Sequence, residues 1–152
     1  MNIRPSVSQD IPALQNIADD TGLFPSDLLP QMMDSYLSGS DENSLWLTCE
    51  EDSRAIGFCY AVGETFAAGT WNMLALAVAP DRQGNGAGRA IVAALEKLLH
   101  GKNHRVIIVD TSGAESFAGT RNFYKRCGYA EEARIRDYWG PGDDKIVFWK
   151  AL

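Results

Sequence analysis

Apolar residues at Ile11, Leu14, Ile17 and Ala18 recur at helical spacing, after a capping Ser8 or Asp10 and before Gly22. Pro25-Ser26-Asp27 opens a second helical stretch that carries Leu28, Met32, Met33, Tyr36 and Leu37 on one side. The pattern then changes period. Ser44–Cys49 alternates through Leu45 and Leu47, Ala55–Glu64 is a longer strand, and Gly69–Val78 is apolar almost throughout. That last run predicts a central strand buried on both faces. Ile91, Val92, Leu95, Leu98 and Leu99 return to helical spacing from about Gly86 to His100, with Gly101 as the stop. Val106–Val109 is a buried strand ending in Asp110, and Thr120–Arg126 is a short helix stopped by Gly128. Ala130–Ile135 and Lys145–Trp149 close the chain as a pair joined through Gly140-Pro141-Gly142-Asp143, a strong turn. The order β, two helices, an antiparallel run, helix, β, helix, β, β predicts one α+β domain over residues 1–152.

Composition narrows the function. Fourteen Lys and Arg against 20 Asp and Glu leave a formal charge of −6. This excludes a non-specific nucleic-acid binder and a polybasic membrane-surface protein, and it suits a neutral or cationic small partner. No stretch reaches the roughly 18 apolar residues of a membrane span. Met1-Asn2-Ile3-Arg4-Pro5 has neither the basic start nor the apolar run of a signal peptide, so a cytoplasmic protein is expected. Cys49, Cys59 and Cys127 are scattered and predict free thiols in a reducing compartment. His100 and His104 have no Cys or carboxylate at ligand spacing, so no metal is expected, and His100 suits a helix carboxyl end.

Three glycines within five residues, Gly84, Gly86 and Gly88, join the apolar strand to the helix that follows. Glycines there let backbone amides approach a ligand, and the unpaired amides and positive dipole of a helix start favour an anion. A phosphate is the natural guest. The spacing then selects among phosphate loops. No Lys-Ser or Lys-Thr follows, which excludes a P-loop. G-x-G-x-x-G fails because the third position is Arg89 counted from Gly84 and Ile91 counted from Gly86. What fits is Gln83-x-x-Gly86-x-Gly88.

This segment, preceded by Leu76-Ala77-Val78-Ala79-Pro80, resembles the acetyl-CoA motif of the GCN5-related N-acetyltransferase (GNAT) family, [RQ]-x-x-G-x-[GA] after a strand. A second stretch, Thr120-Arg121-Asn122-Phe123-Tyr124-Lys125-Arg126-Cys127-Gly128-Tyr129, resembles the family's late helix ending in Tyr-x-x-x-Gly-[Phe/Tyr]. Where many members carry Asn seven residues before that Tyr, this chain has Phe117. The resemblance implies a mixed, mostly antiparallel sheet of six to seven strands, flanked by about four helices and splayed between strands four and five. It implies acetyl-CoA as cofactor, with Gln83, Gly84, Asn85, Gly86, Ala87, Gly88 and Arg89 around its pyrophosphate. Leu76, Ala77 and Val78 would lie along the pantetheine arm. Dimers are common in the family, so a homodimer is one expectation.

Acyl transfer to an amine needs a neutral amine, donors for the developing oxyanion and a proton for the departing thiolate. Backbone amides near Val78 are candidate donors. Tyr124 is the candidate acid, because a phenol is matched to a thiol; its alternative is a core tyrosine on an amphipathic helix. Asp110, at the end of a buried strand, is a candidate base or a turn residue before Thr111-Ser112-Gly113. Glu64 is the other candidate base, acting through water. Trp71 and Asn72 are either part of the acceptor site or ordinary strand residues. Arg134, Arg136 and Lys145 are either a solvated strand face or a polar wall of the acceptor pocket. These residues predict direct attack by a primary amine, from a small molecule or a protein, in a ternary complex. The rival is a module that binds acyl-CoA without turnover.

Overall fold

The computed structural model covers Met1–Leu152. Its strands are β1 (Asn2–Pro5), β2 (Ser44–Glu51), β3 (Arg54–Gly63), β4 (Thr70–Val78), β5 (Val106–Ser112), β6 (Ala130–Gly140) and β7 (Asp143–Ala151). Its helices are α1 (Ile11–Thr21), α2 (Leu29–Leu37), α3 (Ala87–Gly101) and α4 (Ala118–Arg126). The strands form one seven-stranded sheet in the order β1-β2-β3-β4-β5-β7-β6. Hairpin neighbours pair antiparallel, whereas β4 and β5 pair parallel because the connection between them returns through α3. No helix is long and apolar enough to cross a membrane.

The element order predicted from periodicity is the observed one, with three differences at boundaries. Gly101 is the last residue of α3 rather than its stop, and the left-handed turn falls two residues later on Asn103, at φ +64°. The closing strands extend inward to Gly140 and Asp143, so the turn glycines and proline sit at the tip of a long hairpin. Leu28 is half exposed, and Leu29 and Met33 carry the buried face of α2.

Two apolar clusters lie on opposite faces of the sheet. Leu14 and Ile17 of α1 and Leu29 and Met33 of α2 pack on Trp46, Phe58, Ala75 and Ala77. On the other face, Ile91, Val92, Leu95 and Leu99 of α3 and Tyr124 of α4 pack on Met73, Ile107, Val109, Ile146 and Phe148. Each fully buried Leu, Ile or Phe contributes roughly 1.5–3 kcal/mol. The contact of α3 with the sheet is close enough to exclude a side chain at Gly57. A Cβ there would stand 2.9 Å from the Ala77 carbonyl oxygen and 3.0 Å from Ile91 Cδ1.

The apolar run of β4 is the expected central strand buried on both faces, but it is not regular. Tyr60 pairs with Ala75 and Ala61 pairs with Met73, which leaves Leu74 as an extra residue, half exposed. One inserted residue reverses the alternation of faces. Trp71 and Met73 therefore face α3, whereas Ala75 and Ala77 face α1 and α2. A single bulge lets one apolar run serve both cores.

Beside α1, the Asp10 carboxylate accepts bidentate hydrogen bonds from Arg4 (both 2.8 Å), one from the Val7 amide (2.9 Å) and one from the Thr48 hydroxyl (3.0 Å). Burial opposes its ionisation, but these donors together hold its pKa below the ordinary carboxylate range. A carboxyl group depressed in the folded state stabilises the protein above its unfolded pKa of about 3.9 and loses that contribution as pH falls through the folded value. Asp10→Asn is therefore expected to cost about 2 kcal/mol in urea unfolding at pH 7. The gap between variant and wild type should narrow below about pH 4, as the wild-type carboxyl protonates.

Candidate active site

The parallel pairing of β4 and β5 spans only Thr70–Val106, Trp71–Ile107 and Asn72–Ile108. Beyond these residues the strands part. Leu76, Ala77 and Val78 on the freed edge of β4 open into a cleft of about 480 Å³. The β4–α3 loop and the start of α3 form one wall, and Gly119, Thr120, Phe123, Tyr124, Arg126 and Cys127 of α4 form the other.

The loop is built to present amides. Gly84 and Gly86 take φ of +79° and +88°, left-handed values that only glycine adopts without strain. A Cβ at either would meet no protein atom within 4 Å and would project into open space. Gly88 has an ordinary φ, and a Cβ on it would stand 3.4 Å from the ring of Phe123. The first backbone bond of α3 runs from the Ala90 amide to the Gly86 carbonyl at 2.9 Å, which leaves the amides from Gly84 to Arg89 without an acceptor in the protein. Gln83 differs from the other loop residues. Its Nε2 donates to the Val78 carbonyl at 3.0 Å, so its side chain ties the loop to the end of β4.

A second polar group sits where the strands begin to part. Asn72, on the last paired rung, donates from Nδ2 to Asp110 Oδ2 at 3.3 Å and to Glu64 Oε1 at 3.5 Å. Lys145 Nζ lies 3.3 Å from the same Asp110 oxygen and 4.4 Å from the centre of the Tyr138 ring. Asp110 Oδ1 and Asn72 Oδ1 are buried with no partner in the chain. The two candidate carboxylates are thus joined through one amide, and only Asp110 has a cation.

Tyr124 is 5% exposed and packs edge-on against Phe123 and Tyr129. Burial pushes its phenol well above the ordinary tyrosine range, with smaller contributions from the Cys127 and Cys59 thiols. It therefore stays protonated throughout the neutral range. Cys127 caps α4, half buried, and burial raises its thiol. Cys59 lies in the core, pushed up to about 12 by burial. Neither thiol is placed as a nucleophile.

The family model for the acetyltransferase (GNAT) family matches residues 12–129. The chain belongs to the GNAT family. A GNAT-family protein of known structure from Desulfovibrio desulfuricans is 29% identical, with a TM-score of 0.90 over 99% of this chain and 98% of that one. The Escherichia coli ribosomal-protein-S18-alanine N-acetyltransferase shares the fold at 20% identity, TM-score 0.79, over 99% and 93% of the two chains. PaiA N-acetyltransferase from Thermoplasma acidophilum, solved in complex with coenzyme A, does so at 18% identity, TM-score 0.74, over 99% and 98%. No curated protein matches the chain.

In this GNAT chain the cleft suits coenzyme A. The loop amides are unpaired, the space beside Gly84 and Gly86 is open, and the freed edge of β4 supplies an extended wall. The structure gathers Leu76, Ala77, Val78, Gln83, Gly84, Gly86, Ala87, Gly88, Arg89 and Tyr124 around that cleft, while Asn85 lies in the loop but not on its lining. It sets Glu64 and Asp110 together on Asn72. Trp71 is not at the acceptor side; it is buried in the α3 core against His104, because it faces away from Asn72. Lys145 is a half-buried partner of Asp110 rather than a solvated residue, whereas Arg134 pairs with Asp144. Arg126 and Phe123 enter the lining unforeseen, although Gly119, Phe123 and Arg126 fall at i, i+4 and i+7 on one helical face.

Gly86→Ala would keep the fold, because its Cβ meets nothing, but would strain the left-handed turn by about 1–2 kcal/mol. Calorimetric titration with coenzyme A should then show binding weakened about tenfold or more, with a near-unchanged circular dichroism spectrum.

Proposed function

We propose that this protein is an acetyl-CoA-dependent N-acetyltransferase that moves an acetyl group to a primary amine by direct attack in a ternary complex. The supporting observation is that the loop with unpaired amides from Gly84 to Arg89 and Tyr124 line one cleft, which opens where β4 and β5 part. A polyanion held by amides and a helix dipole needs no excess of positive charge, so the cofactor is compatible with a net charge of −6.

Bound acetyl-CoA supplies an activated acetyl thioester, and the chain's residues do the rest. The loop amides fix the pyrophosphate, and the freed edge of β4 from Leu76 to Val78 aligns the arm that leads to the thioester. Backbone amides at that edge favour the oxyanion that develops when the amine nitrogen attacks the carbonyl. As the C–N bond forms, the amine proton passes to Glu64 through water. As the C–S bond breaks, the Tyr124 hydroxyl would give its proton to the leaving sulfur and regain one from solvent water. Asp110, held by Lys145 and Asn72, orients the approaching amine. Glu64 is assigned the base because its only partner in the chain is a long contact with Asn72, whereas Asp110 is engaged by a cation. The acceptor class is a primary amine of a small molecule or a protein.

Three outcomes test this reading. Tyr124→Phe should lower kcat about 10²- to 10³-fold with coenzyme A affinity nearly unchanged, measured by thiol release from acetyl-CoA with an amine panel. Because burial raises the Tyr124 phenol, the wild-type pH–rate profile should show no basic limb from this residue below about pH 10. Glu64→Gln should lower kcat more than Asp110→Asn, which should raise the KM for the amine more than it lowers kcat. Full turnover by Tyr124→Phe at every pH would remove Tyr124 from the mechanism. Acetyl-CoA binding without thiol release from any amine would assign the chain as a binding module instead.

A further inference from the structure

The two edges of the sheet are built differently. β1 is short, ends in Pro5 and has its Arg4 tied to Asp10 and Glu50, so it offers little to another strand. β6 is the opposite case. It is the outermost strand on the other side, 11 residues long with no proline, and every residue from Ala130 to Trp139 is exposed. No strand of the chain pairs with its outer edge. Apolar side chains continue along it, with Ile135, Tyr138 and Trp139 each half exposed.

A charged edge resists pairing when two strands meet like with like, and favours it when they meet as opposites. Glu131 and Glu132 precede Ala133 on β6, and Arg134 and Arg136 follow it. Two such strands running antiparallel about a twofold axis at Ala133 set Glu132 of each copy against Arg134 of the other. Glu131 and Arg136 then face Ile135 and Ala130, so no like charges meet, and a methyl side chain stands where one residue meets itself. An axis moved to Glu132 or to Arg134 would bring like charges together. Glu132 is the extra residue of a bulge against β7, so no rung to that strand engages it. Arg134 donates to Asp144 and stays exposed, whereas Glu131, Glu132 and Arg136 have no ion-pair partner within the chain. Acids and bases balance along this stretch, so two chains of net charge −6 can meet here without adding to their repulsion.

We propose that the outer edge of β6 is the surface through which two copies of this protein associate, antiparallel about a twofold axis at Ala133. Their two sheets then join into one. The occupant is a second copy rather than an unrelated strand, because the charge pattern of the edge is complementary to its own reverse. None of these residues lines the cofactor cleft, so association and cofactor binding are separable.

Sedimentation velocity of the full chain over a wide concentration range tests it. Wild type should pass from monomer to dimer as concentration rises. Glu132→Arg and Arg134→Glu should each weaken self-association about tenfold or more, because like charges then face each other twice across the axis. Mixing the two variants should restore association, since each offers the charge the other lacks; a folding defect in either would not be repaired this way. Ala133→Cys should give a disulfide-linked dimer with glutathione disulfide, because facing Cα atoms of an antiparallel pair stand about 4.5–5.5 Å apart, within disulfide reach. Arg136→Cys, displaced from the axis, should not, and neither should wild type, whose Cys49 and Cys59 are buried. A wild type that stays monomeric at every concentration would overturn the proposal and leave the edge to a different chain. A dimer indifferent to both charge reversals would overturn it by placing the interface elsewhere. Variants that stay apart when mixed would overturn the pairing of Glu132 with Arg134, and with it the axis at Ala133.

Discussion

Two parallel strands that pair over only three rungs leave the facing edges beyond them unpaired, and the candidate site of this protein lies in the gap. Beyond Asn72 and Ile108 the freed edge of β4 faces a cleft instead of β5. The bulge at Leu74 lies at the start of that gap, and a bulge adds twist and re-aims the strand that carries it. It also turns Ala75 and Ala77 toward α1 and α2 while Trp71 and Met73 stay under α3. The same residue that serves two cores thus directs the end of β4 away from its neighbour.

The position of α3 follows from close packing. With no side chain at Gly57, Ile91 approaches the sheet, and the start of the helix stands over the end of β4. The loop amides and helix dipole therefore face the cleft, and Gln83 anchors the loop to Val78. This arrangement suits a polyanion held by neutral groups. The carboxylates do separate work at the point where the strands part, where Asn72 links Glu64 to Asp110 and Lys145 neutralises one of the two.

Much of this was legible beforehand, for reasons that differ by residue. Ile91, Val92, Leu95 and Leu99 recur with the helical period, and a buried stripe leaves that mark in any sequence. The Gly84–Gly88 cluster was legible because positive φ and open amides require glycine, and two of the three do take left-handed values. Arg126 and Phe123 were missed because Tyr124 was the one residue of α4 given a role, and the helix's i, i+4, i+7 face has no meaning until a second wall opposes it. Trp71 was left between two readings for a related reason: an apolar strand gives no sign of which face each residue takes when a bulge interrupts the alternation.

The sequence by itself determined the order of elements, the glycine-rich loop of unpaired amides and the residue types able to move a proton, because period, backbone conformation and side-chain chemistry are local properties. Tertiary structure alone decided that β4 and β5 separate after Asn72, that Lys145 meets Asp110 and that Arg89 and Arg126 line one cleft. Those pairs are separated by 35 or more residues in the chain, and only the register of β5 with β7 and the packing of α3 and α4 bring them together. Local pattern fixes what each segment is; the partner of each charged group is set by packing between segments that do not adjoin in sequence.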